Sequence, residues 1–375
     1  MIYIFVSVEW QCFIYAKIIN SSKNKNLDIS VIVLRSELKK NIAWKSIEHL
    51  KPKFIDLSNQ FKSSELGLKY SLKNSKQICH AFKSSINNLS SKEHILLTDN
   101  IYRVHEMTLL SLLPKTCKVI RLPHGLTEGT SRAKIKNIIS NTLRAVVLFY
   151  IPRVFMKLPF FFIKDRLISV SYNGNPKKRN HFISGNLQIK LSVDRLSKIK
   201  VNYQKTNNVL FFGSGAFRYS NDIFDSRLTE DAIHFANDYC TKNGKKFFFK
   251  FKKEESTEAL KSFKNFKDFI ILDDSTNFID IIKKTQPEYI FCSSNSTLVS
   301  ELMLSGFNVV IYDSGNFKGV DRTFNKMYHE CNIEIQDLNS IQLNPAVFRT
   351  ENDKKKLEES IGFSNINFNL IDKCI

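Results

Sequence analysis

The chain has 375 residues, 43% of them hydrophobic and 25% charged, with a formal net charge of +20. That length suits two domains with real cores, and the balance excludes wholesale disorder. The positive field favours an anionic partner, a class that holds sugar nucleotides, acidic lipid headgroups and nucleic acid alike. The seven cysteines are scattered and form no C-x-x-C pair, which predicts free thiols in a reducing cytoplasm and no zinc site.

Residues 2–8 read as a buried first strand rather than a secretory leader, because no basic segment precedes the apolar run. A helix is expected at 11–19, strands at 29–34 and 54–57, and a helix with a basic outer face at 66–89. A strand at 94–98 follows, then a helix at 104–113 that stops at Pro114, then a strand at 117–120. Strands separated in this way by helices predict a parallel sheet with crossover connections. Together these elements are read as a first Rossmann-like domain over residues 1–180.

Its last part, 132–180, breaks the rhythm and reads as a basic, apolar bridging segment. The apolar stretch at 145–163 is interrupted by Pro152, Arg153, Lys157 and Pro159, short of the ~20 residues that span a bilayer. With Arg144, Lys164 and Arg166 it is predicted to lie peripherally on an anionic inner-membrane surface.

The alternation restarts in a second Rossmann-like domain, read as 181–375. Strands are expected at 208–212, 246–251, 269–272, 289–292 and 308–312, with helices at 228–243, 278–284 and 297–304. Thr229 is read as the N-cap of the first of these helices.

Two loops carry the chemistry. In the second domain, Ser293-Ser294-Asn295-Ser296-Thr297 follows a buried strand and opens a helix. Backbone N–H groups and hydroxyls converging on a helix start bind phosphate without needing a cation. The alternative is an ordinary N-cap, where Ser and Thr are favoured anyway. In the first domain, His124 and Glu128 share a glycine-bearing turn with Gly125 and Gly129. Either side chain suits a general base: imidazole at its ordinary pKa, carboxylate when partly desolvated. Gly213-Ser214-Gly215 is a further glycine-rich turn after a strand. It does not complete G-x-G-x-x-G, because Arg218 stands at the third glycine position, so a nicotinamide fingerprint is not expected. Lys250, near the end of the next strand, is a candidate to face the cleft, as is Lys252 beyond it.

At these anchors the chain resembles the GT-B glycosyltransferases, whose two Rossmann-like domains place parallel sheets around a central nucleotide-sugar cleft. It is most similar to the bacterial sialyltransferase and polysialyltransferase group and its relatives in capsule and lipopolysaccharide synthesis. In that group Ser293-Ser294 would match the Ser-Ser motif at the donor phosphate, and Glu128-Gly129 the acidic-Gly motif that supplies the base. The resemblance also implies that Glu301, a turn into the helix, holds a ribose. Pro123-His124-Gly125 is similar instead to the His-Gly turn of the teichoic-acid polymerases. Where the group carries His-Pro, this chain reads Lys250-Phe251-Lys252-Lys253, so Lys250 would have to stand in.

The resemblance implies an inverting, metal-independent transfer of a sugar, sialic acid or a related acid sugar from a CMP donor, onto a glycan or lipid-linked glycan acceptor. No cofactor is implied beyond the nucleotide-sugar co-substrate, and the absence of Asp-x-Asp agrees with a metal-free mechanism. The rivals are a CDP-glycerol-type glycerophosphotransferase, a catalytically inactive scaffold of the same fold, and a nucleic-acid-binding protein. The last is disfavoured because the basic residues are spread along the chain without a recognisable motif.

Overall fold

The computed structural model describes residues 1–6, 9–23, 27–33, 38–39, 43–57, 80, 94–99, 116–122, 167–171, 181–201, 206–213, 226–251, 269–272, 276–313, 323–340, 342–363 and 366–372. It divides into two compact units: Met1–Gln188 with Gly362–Ile375, and Ile189–Ile361.

In the first unit the strands are β1 (Ile2–Val6), β2 (Ile29–Val33), β3 (Lys53–Asp56), β4 (Ile95–Thr98), β5 (Lys118–Arg121), β6 (Leu167–Ser171) and β7 (His181–Ile183). Among the described residues they form a seven-stranded sheet in the order β3-β2-β1-β4-β5-β6-β7, with every pairing parallel. β1 and β4 are buried at every position, as expected of strands covered on both faces, and this is why they read as continuous apolar runs. Helix α1 (Glu9–Asn20) joins β1 to β2 and buries Cys12, Ile14, Tyr15, Ile18 and Ile19. The short α2 (Trp44–Glu48) sets the Trp44 ring against Phe54 of β3, with centroids 5.2 Å apart.

The C-terminal residues belong to this first unit. Leu370 and Ile371 are buried in it. The Ser22 hydroxyl donates to the Asp372 carboxylate at 2.6 Å, and the Lys23 N–H donates to it at 3.1 Å. The Asn367 N–H reaches the Ser184 carbonyl at 2.9 Å. The domain limits expected from the sequence, 1–180 and 181–375, therefore shift at both ends. β7 extends the first sheet through its pairing with β6, and the last residues return to the first unit after the second is complete. Both strands lie within or beside the stretch expected to be a bridge, because each is short and flanked by charged or turn-forming residues.

The second unit contains α3 (Leu187–Leu196), which begins at the end of the first, then β8 (Asn208–Phe212), α4 (Ser226–Lys242), β9 (Lys246–Lys250) and β10 (Phe269–Ile271). It continues with α5 (Phe278–Thr285), β11 (Tyr289–Ser293), α6 (Thr297–Leu304), β12 (Val309–Tyr312), α7 (Thr323–Glu330) and α8 (Glu351–Ser360). Its strands form a parallel sheet in the order β10-β9-β8-β11-β12. α4 starts at Ser226, so Thr229 is a buried residue of the helix rather than its N-cap.

Alternate strand residues share a face, and here one face is aromatic. Phe211 stacks on Phe249 at 5.1 Å, on Phe291 at 5.8 Å and on Tyr312 at 5.0 Å, so one ring ties together β8, β9, β11 and β12. Ala232, Ile233, Ala236 and Cys240 of α4 cover this layer. Cys12, Cys117, Cys240, Cys292 and Cys331 are free and buried. Among the described residues no helix is long and apolar enough to cross a membrane, and the segment 144–166 lies outside them.

Phe211→Ala leaves a cavity at the meeting point of four strands and is expected to cost about 3–5 kcal/mol. Urea unfolding checks this through the midpoint at unchanged m-value. A loss under ~1 kcal/mol would show that the neighbouring rings close the gap without it.

Candidate functional site

In a parallel sheet the crossover helices diverge where strand order reverses, which opens a crevice beyond the carboxyl ends of the two strands concerned. In the second unit that point lies between β8 and β11. Register places the residues expected from the sequence at this edge: Phe212 pairs with Lys250, and Ser293 pairs with Tyr312. Gly213 closes β8, its N–H donating to the Lys250 carbonyl at 2.9 Å. Lys250 is 9% exposed. Asp313, directly after β12, adds a carboxylate at the same edge that sequence reading did not single out. Ser214 and Gly215 lie outside the described residues, as do His124 and Glu128.

The Ser-rich turn divides its polar groups between architecture and free donors. The Ser294 N–H donates to the Tyr312 carbonyl at 2.8 Å and fastens the turn to β12. The Ser293 hydroxyl accepts from the Asn295 N–H at 3.2 Å. Ser296 is the N-cap of α6, extended at φ −98° and ψ 130°, with its hydroxyl accepting from the Leu298 N–H at 3.3 Å. Three serines thus build the turn. By contrast, the N–H and hydroxyl of Thr297, the first helical residue, meet no partner among the described residues. The Ser294 hydroxyl is buried and equally unpartnered. Orphaned buried hydroxyls are uncommon enough to demand a reason. Here the orphan and the free Thr297 donors flank the positive end of a helix, at the crevice where the strand order reverses.

Glu301 lies one turn further along α6 and is 3% exposed. Burial pushes its carboxyl up to about 8, while the Ser192 hydroxyl and the Arg195 guanidinium of α3 pull it back down. The thiol of Cys292, at the base of the turn, is raised by burial and by Glu301 itself. Ser192 and Arg195 occupy i and i+3 of α3 and were missed by sequence reading. Nothing in a short amphipathic segment announces which helix it will meet.

No protein-family profile matches this chain, and no curated protein does either. Solved structures do share its architecture. S. aureus MnaA, solved with UDP, aligns with a TM-score of 0.53 at 12% identity, over 98% of this chain and 91% of that one. A UDP-GlcNAc 2-epimerase from Methanocaldococcus jannaschii, solved with UDP-GlcNAc and UDP, gives 0.50 at 13% identity over 97% and 99%. The glycotransferase of kitacinnamycin gives 0.55 at 7% identity over 100% and 98%. With its two doubly wound parallel sheets, the chain has the GT-B fold.

Proposed function

We propose that this protein is a nucleotide-sugar-dependent glycosyltransferase whose donor phosphate sits at the start of α6. The observation that carries the reading is the set of unused donors at the strand-order reversal, namely the Thr297 amide and hydroxyl beside the orphaned Ser294 hydroxyl. Two proteins of the same fold were solved with UDP or UDP-GlcNAc, which supports a nucleotide ligand for this one. As the sugar–phosphate bond breaks, charge develops on the leaving phosphate oxygens, and fixed donors at a helix start are suited to stabilise it. Gly213, without a side chain, leaves room for close approach of the nucleotide at the opposite lip of the crevice. Lys250 takes the place of the His of the His-Pro motif, and Asn295 lies within the turn itself.

The base that deprotonates the acceptor hydroxyl is assigned to Glu128 or His124 on sequence grounds. The finer reading is an inverting, metal-independent transfer from a CMP-linked acid sugar in capsule or lipopolysaccharide synthesis, at the inner membrane through segment 144–166. Pro123-His124-Gly125 favours a second reading, transfer of glycerol phosphate from CDP-glycerol, and turnover of CDP-glycerol separates it from the first.

A thermal-shift panel of CMP, CDP, UDP, GDP and their sugars is expected to raise the melting point with one nucleotide class. Thr297→Val keeps the shape of the side chain and removes the hydroxyl, so affinity for that nucleotide should fall by roughly 1–2 kcal/mol. Unchanged affinity in the folded variant would remove Thr297 from the phosphate site. No stabilisation by any nucleotide would overturn the enzyme reading and leave an inactive scaffold.

Replacing the true base, Glu128→Ala or His124→Ala, should lower turnover roughly 10²–10⁴-fold with nucleotide binding intact. Near-normal turnover in both variants would place the base elsewhere.

Glu301 is assigned the ribose hydroxyls, and its titration offers a separate check. Its carboxyl holds a proton more tightly folded, near 8, than unfolded, near 4.3. Its contribution to stability is therefore complete below the unfolded value and declines as pH rises through the folded one. Relative to Glu301→Gln, the parent should lose roughly 1.4 kcal/mol per pH unit across that window. Parallel stability curves for the two proteins between pH 5 and pH 8 would refute the buried neutral carboxyl.

A further inference from the structure

Away from the crevice, the second unit carries a groove of about 550 Å³ between α4 and the loop at 338–340, within the usual range of small-ligand clefts. Its lining departs from the chain as a whole. In a protein of net charge +20, the stripe of α4 that faces the groove presents the exposed carboxylates of Asp231 and Asp238, with His234 between them and Lys242 beyond. These positions follow helical spacing, so they form one continuous edge.

The floor is aromatic and held from below. Phe235 and Tyr239 are half-buried, and their rings meet rings of β11: the core Phe291 at 6.3 Å and the half-buried Tyr289 at 6.0 Å, the latter edge-on. The far wall is built in advance. The buried Gln336 side chain donates to the Asp337 and Gln342 carbonyls at 2.8 and 3.1 Å and accepts from the Asn344 N–H at 2.8 Å. The Asp337 carboxylate accepts from the Asn339 N–H at 2.9 Å. A wall fixed by its own hydrogen bonds loses little entropy when it takes a ligand.

We propose that this groove is a subsite for a neutral glycan chain, a stretch of the acceptor remote from the point of transfer; this rests on the glycosyltransferase reading. Rigid aromatic faces stack on the C–H faces of sugar rings, and carboxylates and amides accept from or donate to paired hydroxyls. Asp231 and Asp238 together turn away phosphates and acid sugars, so the groove selects against nucleotides and polyanionic glycans. A cationic peptide is the other class that acidic and aromatic groups accept, but the groove also carries Lys242 and the neutral amides of Asn339 and Asn243. Amides that both donate and accept suit hydroxyls, which do the same, better than ammonium groups, which only donate.

The test is isothermal titration of the full chain with neutral hexasaccharides of glucose, galactose and N-acetylglucosamine. Hexagalacturonate and oligolysine serve as controls, and the nucleotide thermal shift is measured in parallel. At least one neutral hexasaccharide should bind, and Asp231→Ala combined with Asp238→Ala should weaken it tenfold or more. The exposed Asn339→Ala should act in the same direction, with melting temperature and nucleotide shift unchanged. The proposal is overturned if no neutral hexasaccharide binds at millimolar concentration, if binding survives the double substitution, or if hexagalacturonate or oligolysine binds the groove in preference. When nucleotide binds and glycan does not, this inference alone falls. When nucleotide fails to bind, the glycosyltransferase reading falls on its own account.

Discussion

A parallel strand can reach its neighbour only by a crossover, and the direction of successive crossovers decides where a sheet leaves a crevice. In the second unit, β8 comes first in sequence yet lies in the middle of the order β10-β9-β8-β11-β12. Chain building therefore runs outward to one side, then resumes on the other. The carboxyl ends of β8 and β11 meet at that seam, and the groups with no structural employment collect at the turn that follows β11. The aromatic layer beneath, centred on Phe211, locks β9, β8, β11 and β12 in register, so the positions of Gly213, Lys250 and Ser293 follow from packing below the edge.

The Ser-rich turn shows how little of a polar motif is free once the chain is folded. Ser293 and Ser296 use their hydroxyls on backbone N–H groups of the turn itself, and the Ser294 amide fastens the turn to β12. A motif read as five ligands thus resolves into a frame and a small remainder. That remainder lies beside a fully buried carboxyl, Glu301, whose proton affinity is raised by lack of solvent. Local polarity is therefore set by burial as much as by residue type.

Much of the fold was legible because strands buried on both faces cannot hide their composition. The runs at 2–6, 29–33, 95–98, 208–212 and 289–293 are apolar at nearly every position and correspond to observed strands. The helix expected at 297–304 coincides with α6. The signal failed where elements were short and their partners distant. β7 has three residues, and its place in the first sheet depends on β6, which no local pattern can announce. The return of the C-terminal residues to the first unit is likewise a long-range fact. The Thr350–Asp353 capping box of α8, by contrast, is a local pattern carried by spacing alone. At the site, residue types were legible, but which hydroxyls the turn would consume was not, since that depends on backbone geometry.

Domains of a growing chain ordinarily fold in the order in which they are made. Here Leu370, Ile371 and Asp372 are part of the first unit, and they leave the ribosome only after all of residues 189–361. During synthesis the second unit can close its core while the first still waits for the segment that packs against Ser22 and Lys23. The half made first is thus completed only after the second, and the nascent first unit keeps an apolar surface uncovered until that segment emerges.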